Sequence, residues 1–308
     1  MNKSAMYFTL IAPAARAGAV VIAGFMIDQG DEPTFTRIAH VREDKSWGLT
    51  GDIRHDVAHW MTTRPSTTET GLTEIYAIGR DATLWTKLPK RDPIETIAPL
   101  REPWMWLENL CLADDGIYVC GGQNQIYRYA DDQWTPQDDG IYVPSVEGQP
   151  TCTLFAITQL GDGSLLTVGS AGFIAIRHPG QPWKVLDCPI DTNLRCVLPD
   201  ATGAWISGDS GTLLHLEDGT CTNHSDPDIS TGSFDALTWF GGHLYVTAGD
   251  KLLRLDDNHL TVVDVPLKPD SELHALCTSG DYLYATGDEH VYRLGPDGWT
   301  YLLCPDNE

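Results

Sequence analysis

One phrase is written repeatedly in this chain. "LYATGDEHVYRLGPDGWTYL" occupies 283–302, "LYVTAGDKLLRLDDNHLTVV" 244–263, "LLTVGSAGFIAIRHPGQPWKVL" 165–186 and "IYVCGGQNQIYRYADDQWTP" 117–136. Aligned on the glycine after the second apolar run, the copies fall at Gly79, Gly121, Gly169, Gly208, Gly249 and Gly287, about forty residues apart. A period of that length marks a supersecondary unit that cannot cover its own apolar faces and must stack against copies of itself.

The grammar inside each unit is constant. A short apolar run ("NLCLA", "LFAITQL", "FDALTWF", "LHALCTS") leads to a turn ("DDG", "GDG", "FGG", "SGD") and then to the strand that ends in glycine. A third run ("IYRY", "IAIR", "LLHL", "LLRL", "VYRL"), a second turn and a fourth run complete it. Four short strands joined by tight turns make one propeller blade, and helical periodicity is absent from 71 to 308. The expected fold class is therefore all-β, a single β-propeller domain over 1–308 with four-stranded blades. Six blades are legible in 71–308. Residues 1–70 hold an irregular first blade with an insertion, built on "VVIAGFMI" and "TRIAHV". Seven blades are preferred, with six as the alternative.

The segments "SLLTVGSAGFIAIRHPGQPW" and "LYATGDEHVYRLGPDGW" resemble the degenerate repeats of bacterial YVTN/BNR-like and WD-repeat-like propellers, and "GPDGWT" resembles a sialidase Asp-box. The Asp-box serine and the Trp-Asp dipeptide of WD repeats are absent. The resemblance implies an architecture shared by protein-binding and adaptor or assembly-factor propellers and by carbohydrate-active, sialidase-like or lyase-like ones.

Charge narrows the partners. With 43 acidic residues against 20 basic ones, the net charge is −23, a field that repels nucleic acid and anionic membranes and attracts basic proteins. Simple solubility is the alternative use of that charge. The eight cysteines form no CxxC pair and mostly sit in apolar runs, as reduced buried thiols do, which fits the cytoplasm. The N-terminal "MNKSAMYFTLIAPAARAGAVVIAGFMIDQG" has the basic start and apolar stretch of an export signal, which would make the protein periplasmic. Pro13 and Arg16 break that run early, so a cytoplasmic chain is expected.

Enzyme templates fail: there is no GxSxG elbow, no P-loop and no dinucleotide fingerprint. No catalytic residue and no cofactor are expected. No metal site is expected either, although His55 and His59 stand four apart with Asp52 and Asp56 beside them. A basic residue recurs at the end of the third strand, at Lys87, Arg128, Arg177, His215, Arg254 and Arg293. Ion pairs between blades, with turn carboxylates, are the favoured explanation; an acidic ligand is the other. The loops between blades and those after the repeated glycines vary in length, as binding loops on a rigid scaffold do. They carry Asp138, Asp139, Glu147, Asp209, Asp226, Asp228, Asp250, Asp270, Asp288 and Glu289, and "REPWMWLENL" adds Trp104 and Trp106 as candidate anchors. The function expected from this pattern is a monomeric, non-enzymatic propeller that binds a basic protein. Its most concrete form is a bacterial immunity protein occluding the active site of a cognate toxin. An adaptor or assembly factor, or a carbohydrate-active enzyme, is the alternative.

Overall fold

The computed structural model describes residues 5–27, 33–53, 58–79, 81–101, 105–147 and 151–307. The protein is a seven-bladed β-propeller, and every blade is an antiparallel sheet of four strands taken in chain order. The blades span 5–53, 58–97, 107–136, 154–186, 194–223, 237–263 and 275–302. Among the described residues the only helical pieces are 3-10 turns at Ser170–Gly172 and Pro305–Asn307, and no helix is long and apolar enough to cross a membrane. The chain packs as two compact units, residues 1–80, 84–96 and 238–308 in one, and 81–83 and 97–237 in the other.

Burial explains the sequence grammar. The second strand of a blade is covered on both faces, as at Leu165–Gly169, where all five residues are buried. It therefore reads as a continuous apolar run and does not alternate. In the 97–237 unit, Leu166 and Val168 of blade 4 pack with Leu194, Ile206 and Leu214 of blade 5. In the other unit, Phe8 and Ile22 of blade 1 meet Tyr284 and Val291 of blade 7, while Val21 and Ile38 meet Met61 and Ile75 of blade 2. Each such fully buried side chain contributes roughly 1.5–3 kcal/mol. Fourth strands such as Gln133–Pro136 and Thr220–Asn223 are short, polar and exposed, a composition that discourages edge-to-edge association.

The repeated glycine has a steric cause. A Cβ at Gly121, Gly169, Gly208 or Gly287 would collide with the carbonyl oxygen of Trp106, Thr153, Asn193 or Glu272, just ahead of or at the start of the first strand. In three of these blades that carbonyl accepts a hydrogen bond from the residue just after the glycine: Gly122, Ser170 and Asp209 donate at 3.1, 2.9 and 2.9 Å. Gly24 occupies the same seat in blade 1, beneath the carbonyl of Tyr7. Blade 6 departs from the pattern. Its register pairs Tyr245 with Arg254 as blade 7 pairs Tyr284 with Arg293, so Ala248 takes the seat. Gly249 lies one residue beyond it, at φ +63°, with nothing near a would-be Cβ.

Blade 1 also corrects the expected boundaries. "VVIAGFMI" is a strand, Val20–Ile27, and "TRIAHV" lies in Pro33–Val41. The supposed insertion contains two more strands, Trp47–Ile53 of blade 1 and Ala58–Pro65, the first strand of blade 2. Neither alternates cleanly in burial, so the pattern concealed them. Within the N-terminal stretch considered as an export signal, Ala5–Pro13 is the first strand, with Met6 and Phe8 fully buried.

Blades 1 and 7 share no strand, since Gly298–Leu302 completes its own sheet. Backbone and side-chain hydrogen bonds join them instead. The Phe8 amide donates to the Asp288 carbonyl at 2.6 Å, the Tyr284 hydroxyl to the Gly18 carbonyl at 2.7 Å, and the Ser279 hydroxyl to the Ala19 carbonyl at 2.7 Å. Asn307 makes three contacts: Oδ1 accepts from the Met6 amide (2.7 Å), and Nδ2 donates to the carbonyls of Met6 and Glu289 (both 3.0 Å). Replacing Asn307 with Ala should lower stability by about 2 kcal/mol, at roughly 1 kcal/mol or slightly less per bond. The midpoint of urea unfolding checks this, and an unchanged midpoint would mean the join does not depend on Asn307.

Candidate functional site

Antiparallel order puts the turns after the first and third strands of a blade on one side. The loops after the second and fourth strands lie on the other. In the 97–237 unit, that second side carries three exposed apolar side chains on neighbouring segments. Trp106 is 51% exposed, Val143 46% and Val146 54%. Two backbone bonds and one side-chain bond bring their segments to one turn: the Gly122 amide donates to the Trp106 carbonyl (3.1 Å), the Val143 amide to the Gln123 carbonyl (3.1 Å), and Gln123 Nε2 to Ser145 Oγ (2.8 Å). The Trp106 indole N–H is held by the Glu108 carboxylate. Asp139 and Glu147, on the same connection as the two valines, are exposed. Trp104 lies outside the described residues.

Several of the acids expected at this side are structural. Asp138 is fully buried. Its carboxylate lies 2.8 Å from Arg101 Nη1 and accepts from the Ile126 amide at 3.3 Å, while its carbonyl takes the amides of Ile141 and Tyr142. Burial dominates its electrostatics and raises its pKa above the ordinary carboxylate value. It folds the loop and is not offered to a partner. Asp209, directly after its glycine, accepts from Arg195 Nε at 2.9 Å, Asn193 Nδ2 at 2.9 Å and the Ser233 hydroxyl at 3.0 Å. Burial works against its ionisation, but these donors outweigh burial and hold the carboxyl below its ordinary value. Asp226 caps its own turn through the Asp228 amide (3.1 Å), which leaves Asp228 itself exposed.

The unit that includes 238–308 holds the remaining acids. Asp288 repeats the role of Asp209, taking the Glu272 amide (3.1 Å) and the His274 ring (3.2 Å) of its own blade. Glu289 is half-buried and accepts from the Tyr7 hydroxyl, and this bond is the main cause raising the Tyr7 pKa. Asp250 and Asp270 are exposed on turns.

The recurrent basic residues are not one uniform set. Arg128, His215, Arg254 and Arg293 stand opposite Tyr118, Trp205, Tyr245 and Tyr284. Lys87 and Arg177 fall one residue further along, opposite Ile75 and Leu165. Most pairings are made within a blade, contrary to the expected contacts between blades. Arg128 meets Asp115 (3.1 Å), His215 meets Asp200 (2.8 Å), Arg254 meets Asp256 (2.7 Å), and Lys87 donates to the Arg91 carbonyl. Two reach across a blade boundary, both to uncharged acceptors: Arg177 to Gln137 Oε1 (2.8 Å) and Arg293 to the Glu43 carbonyl (2.7 Å). His55 lies outside the described residues. Among those described, no cluster of His, Cys, Asp or Glu is suited to hold a metal.

No family model matches the chain, and no curated protein matches it. Solved structures do. Virginiamycin B lyase from Staphylococcus aureus superposes with a TM-score of 0.66 at 15% identity, covering 92% of both chains. The WD40 β-propeller domain of Doa1 gives 0.64 at 10% identity over 94% of each chain. YCF48 bound to D1 peptide gives 0.57 at 14% identity, covering 74% of this chain and 77% of that one. At such identities the likeness shows the fold alone.

Asp209 provides a test of the structural assignment. A carboxyl whose folded pKa is depressed stabilises fully above its unfolded value, and that contribution is lost as pH falls through the folded value. Asp209→Asn should therefore lower stability by about 1 kcal/mol at pH 7. The gap from wild type should shrink below roughly pH 4 as the wild-type carboxyl protonates. Unfolding midpoints measured across pH check both parts, and a gap independent of pH would refute the assignment.

Proposed function

We propose that the chain is a non-enzymatic protein-binding propeller that takes a basic protein on the interblade loops of its 97–237 unit. The observation that carries this reading is that Trp106, Val143 and Val146 are exposed on hydrogen-bonded neighbouring segments, with the exposed Asp139 and Glu147 on the same connection as the valines. An apolar centre with a charged rim is how protein interfaces divide their work. The buried centre sets the lifetime, and the rim sets the encounter rate and the choice of partner. The net charge of −23 steers a cationic partner from a distance.

The concrete form of the proposal is an immunity protein that occludes the basic active-site cleft of a toxin. An adaptor or assembly role would use the same surface with a different partner. The two are separated by co-expression with a basic protein encoded next to this chain. Rescue of growth that depends on Trp106 supports immunity, and growth unaffected by the neighbour leaves the adaptor form. Turnover of a glycan by the purified chain would overturn the non-enzymatic reading.

With an identified partner, converting Asp139 and Asp228 to Asn and Glu147 to Gln together should slow association and flatten its dependence on salt. Trp106→Ala should instead speed dissociation about 30-fold, equivalent to about 2 kcal/mol. Asp138→Asn, at a buried position, should change the unfolding midpoint and leave the association rate as in wild type. Stopped-flow association and dissociation at two salt concentrations read all three. Unchanged kinetics in both the triple variant and Trp106→Ala would remove this surface from the interaction.

A further inference from the structure

On the hairpin-turn side, two blades pair their recurrent base with a carboxylate from the turn joining the first two strands: Asp115 for Arg128 in blade 3 and Asp200 for His215 in blade 5. Blade 1 inverts this charge. The equivalent base is His40, opposite Val21 in the register, and the turn that supplies the acid in those two blades reads "AARAG" here and supplies Arg16. Arg16, His40 and Arg42 line a cleft of about 300 Å³ together with turn residues of blade 2, and no carboxylate lines it. In a chain with 43 acidic and 20 basic residues, a concavity that two arginines line without any carboxylate runs against the composition.

The cations are not consumed internally. Arg16 is exposed, and its side chain makes no hydrogen bond or ion pair among the described residues. Arg42 donates to Ser46 Oγ through Nη1 (3.1 Å), which leaves its remaining N–H groups. Of the nearby acids, Asp44 accepts from the Ser46 amide (2.9 Å) and hydroxyl (2.6 Å), so it meets Arg42 only through that hydroxyl and feels its charge without a direct ion pair, while Glu43 packs over Gly18. His40 is held by Thr50 Oγ1 at 3.2 Å, and burial followed by the nearby Arg42 lowers its pKa. The remaining lining combines the apolar Ala14, Ala19, Val21, Leu72 and Ile75 with Thr50 and Thr73.

We propose that this cleft binds a small organic carboxylate, with the carboxylate gripped by Arg16 and Arg42 and its apolar body resting on Val21, Leu72 and Ile75. The guanidinium fork matches a carboxylate in two-point hydrogen bonding. The volume suits a small molecule. The apolar lining distinguishes this ligand from inorganic phosphate, which would gain nothing from it. The site is independent of the protein-binding surface proposed above, which belongs to the other unit.

Calorimetric titration of the whole chain with benzoate and hexanoate, alongside benzamide and inorganic phosphate, tests the assignment. Saturable one-to-one binding of at least one carboxylate is expected, at least tenfold tighter than benzamide and than phosphate. Arg16→Ala, at an exposed position, should weaken binding at least tenfold with an unchanged unfolding midpoint. Arg42→Ala should do likewise, and Lys184→Ala, a charge-matched change on blade 4, should bind as wild type. The proposal fails if no carboxylate saturates, if benzamide or phosphate binds as tightly, or if Arg16→Ala retains wild-type affinity.

Discussion

The fold depends on a contact between two stretches of backbone. Where the second strand of a blade ends, the carbonyl that precedes or opens the first strand lies over the α-carbon of a glycine, at Gly24, Gly121, Gly169, Gly208 and Gly287. No side chain fits there. In blades 3, 4 and 5 the carbonyl also takes the amide just beyond the glycine, so a steric demand and a hydrogen bond fix the same point. The register shifts between Leu154 and Ala156 and between Leu194 and Cys196 fall at this point too. Bulges of this kind bend a strand and re-aim its side chains, here where each blade begins.

That contact determines what the following residue can do. The residue after the glycine is held against the first strand, so an aspartate there is within reach of that strand's own donors. Asp209 with Asn193 and Arg195, and Asp288 with Glu272 and His274, are two instances of one clip. Loops that look free for binding thus include positions committed to the blade. The surface left to a partner is set by side chains further out, such as Trp106, Val143, Asp139 and Asp228.

Much of the architecture was legible because it is repeated. Six copies of a four-run phrase announce the blades, and the glycine announces its own steric role. Blade 1 was obscured because its glycine stands inside a long strand, Val20–Ile27, and because Trp47–Ile53 and Ala58–Pro65 are only partly buried. Site residues were less legible, for a different reason. Asp138 and Asp139 are neighbours of one residue type, yet one is buried beside Arg101 and the other faces solvent. Only the path of the loop separates them. The recurrent bases were visible in the sequence, but their partners lie on turns 13 to 15 residues away, as with Arg128–Asp115 and His215–Asp200. The absence of such a carboxylate in blade 1 became meaningful only once the register had identified His40 as the counterpart.

Each blade is one uninterrupted segment, and this has a consequence for how the molecule can open. Where a propeller's last sheet borrows a strand from the opposite terminus, parting the first and last blades requires breaking a ladder. Here blades 1 and 7 can separate with every sheet intact, losing only side-chain packing and a handful of bonds outside the sheets. Such an opening would wet Met6, Phe8 and Tyr284 while amides paired within the sheets stayed shielded from exchange. It is a subglobal motion, cheaper than unfolding a blade. It also gives duplication a simple unit, because a whole blade can be gained or lost between its neighbours without leaving an unpaired strand behind.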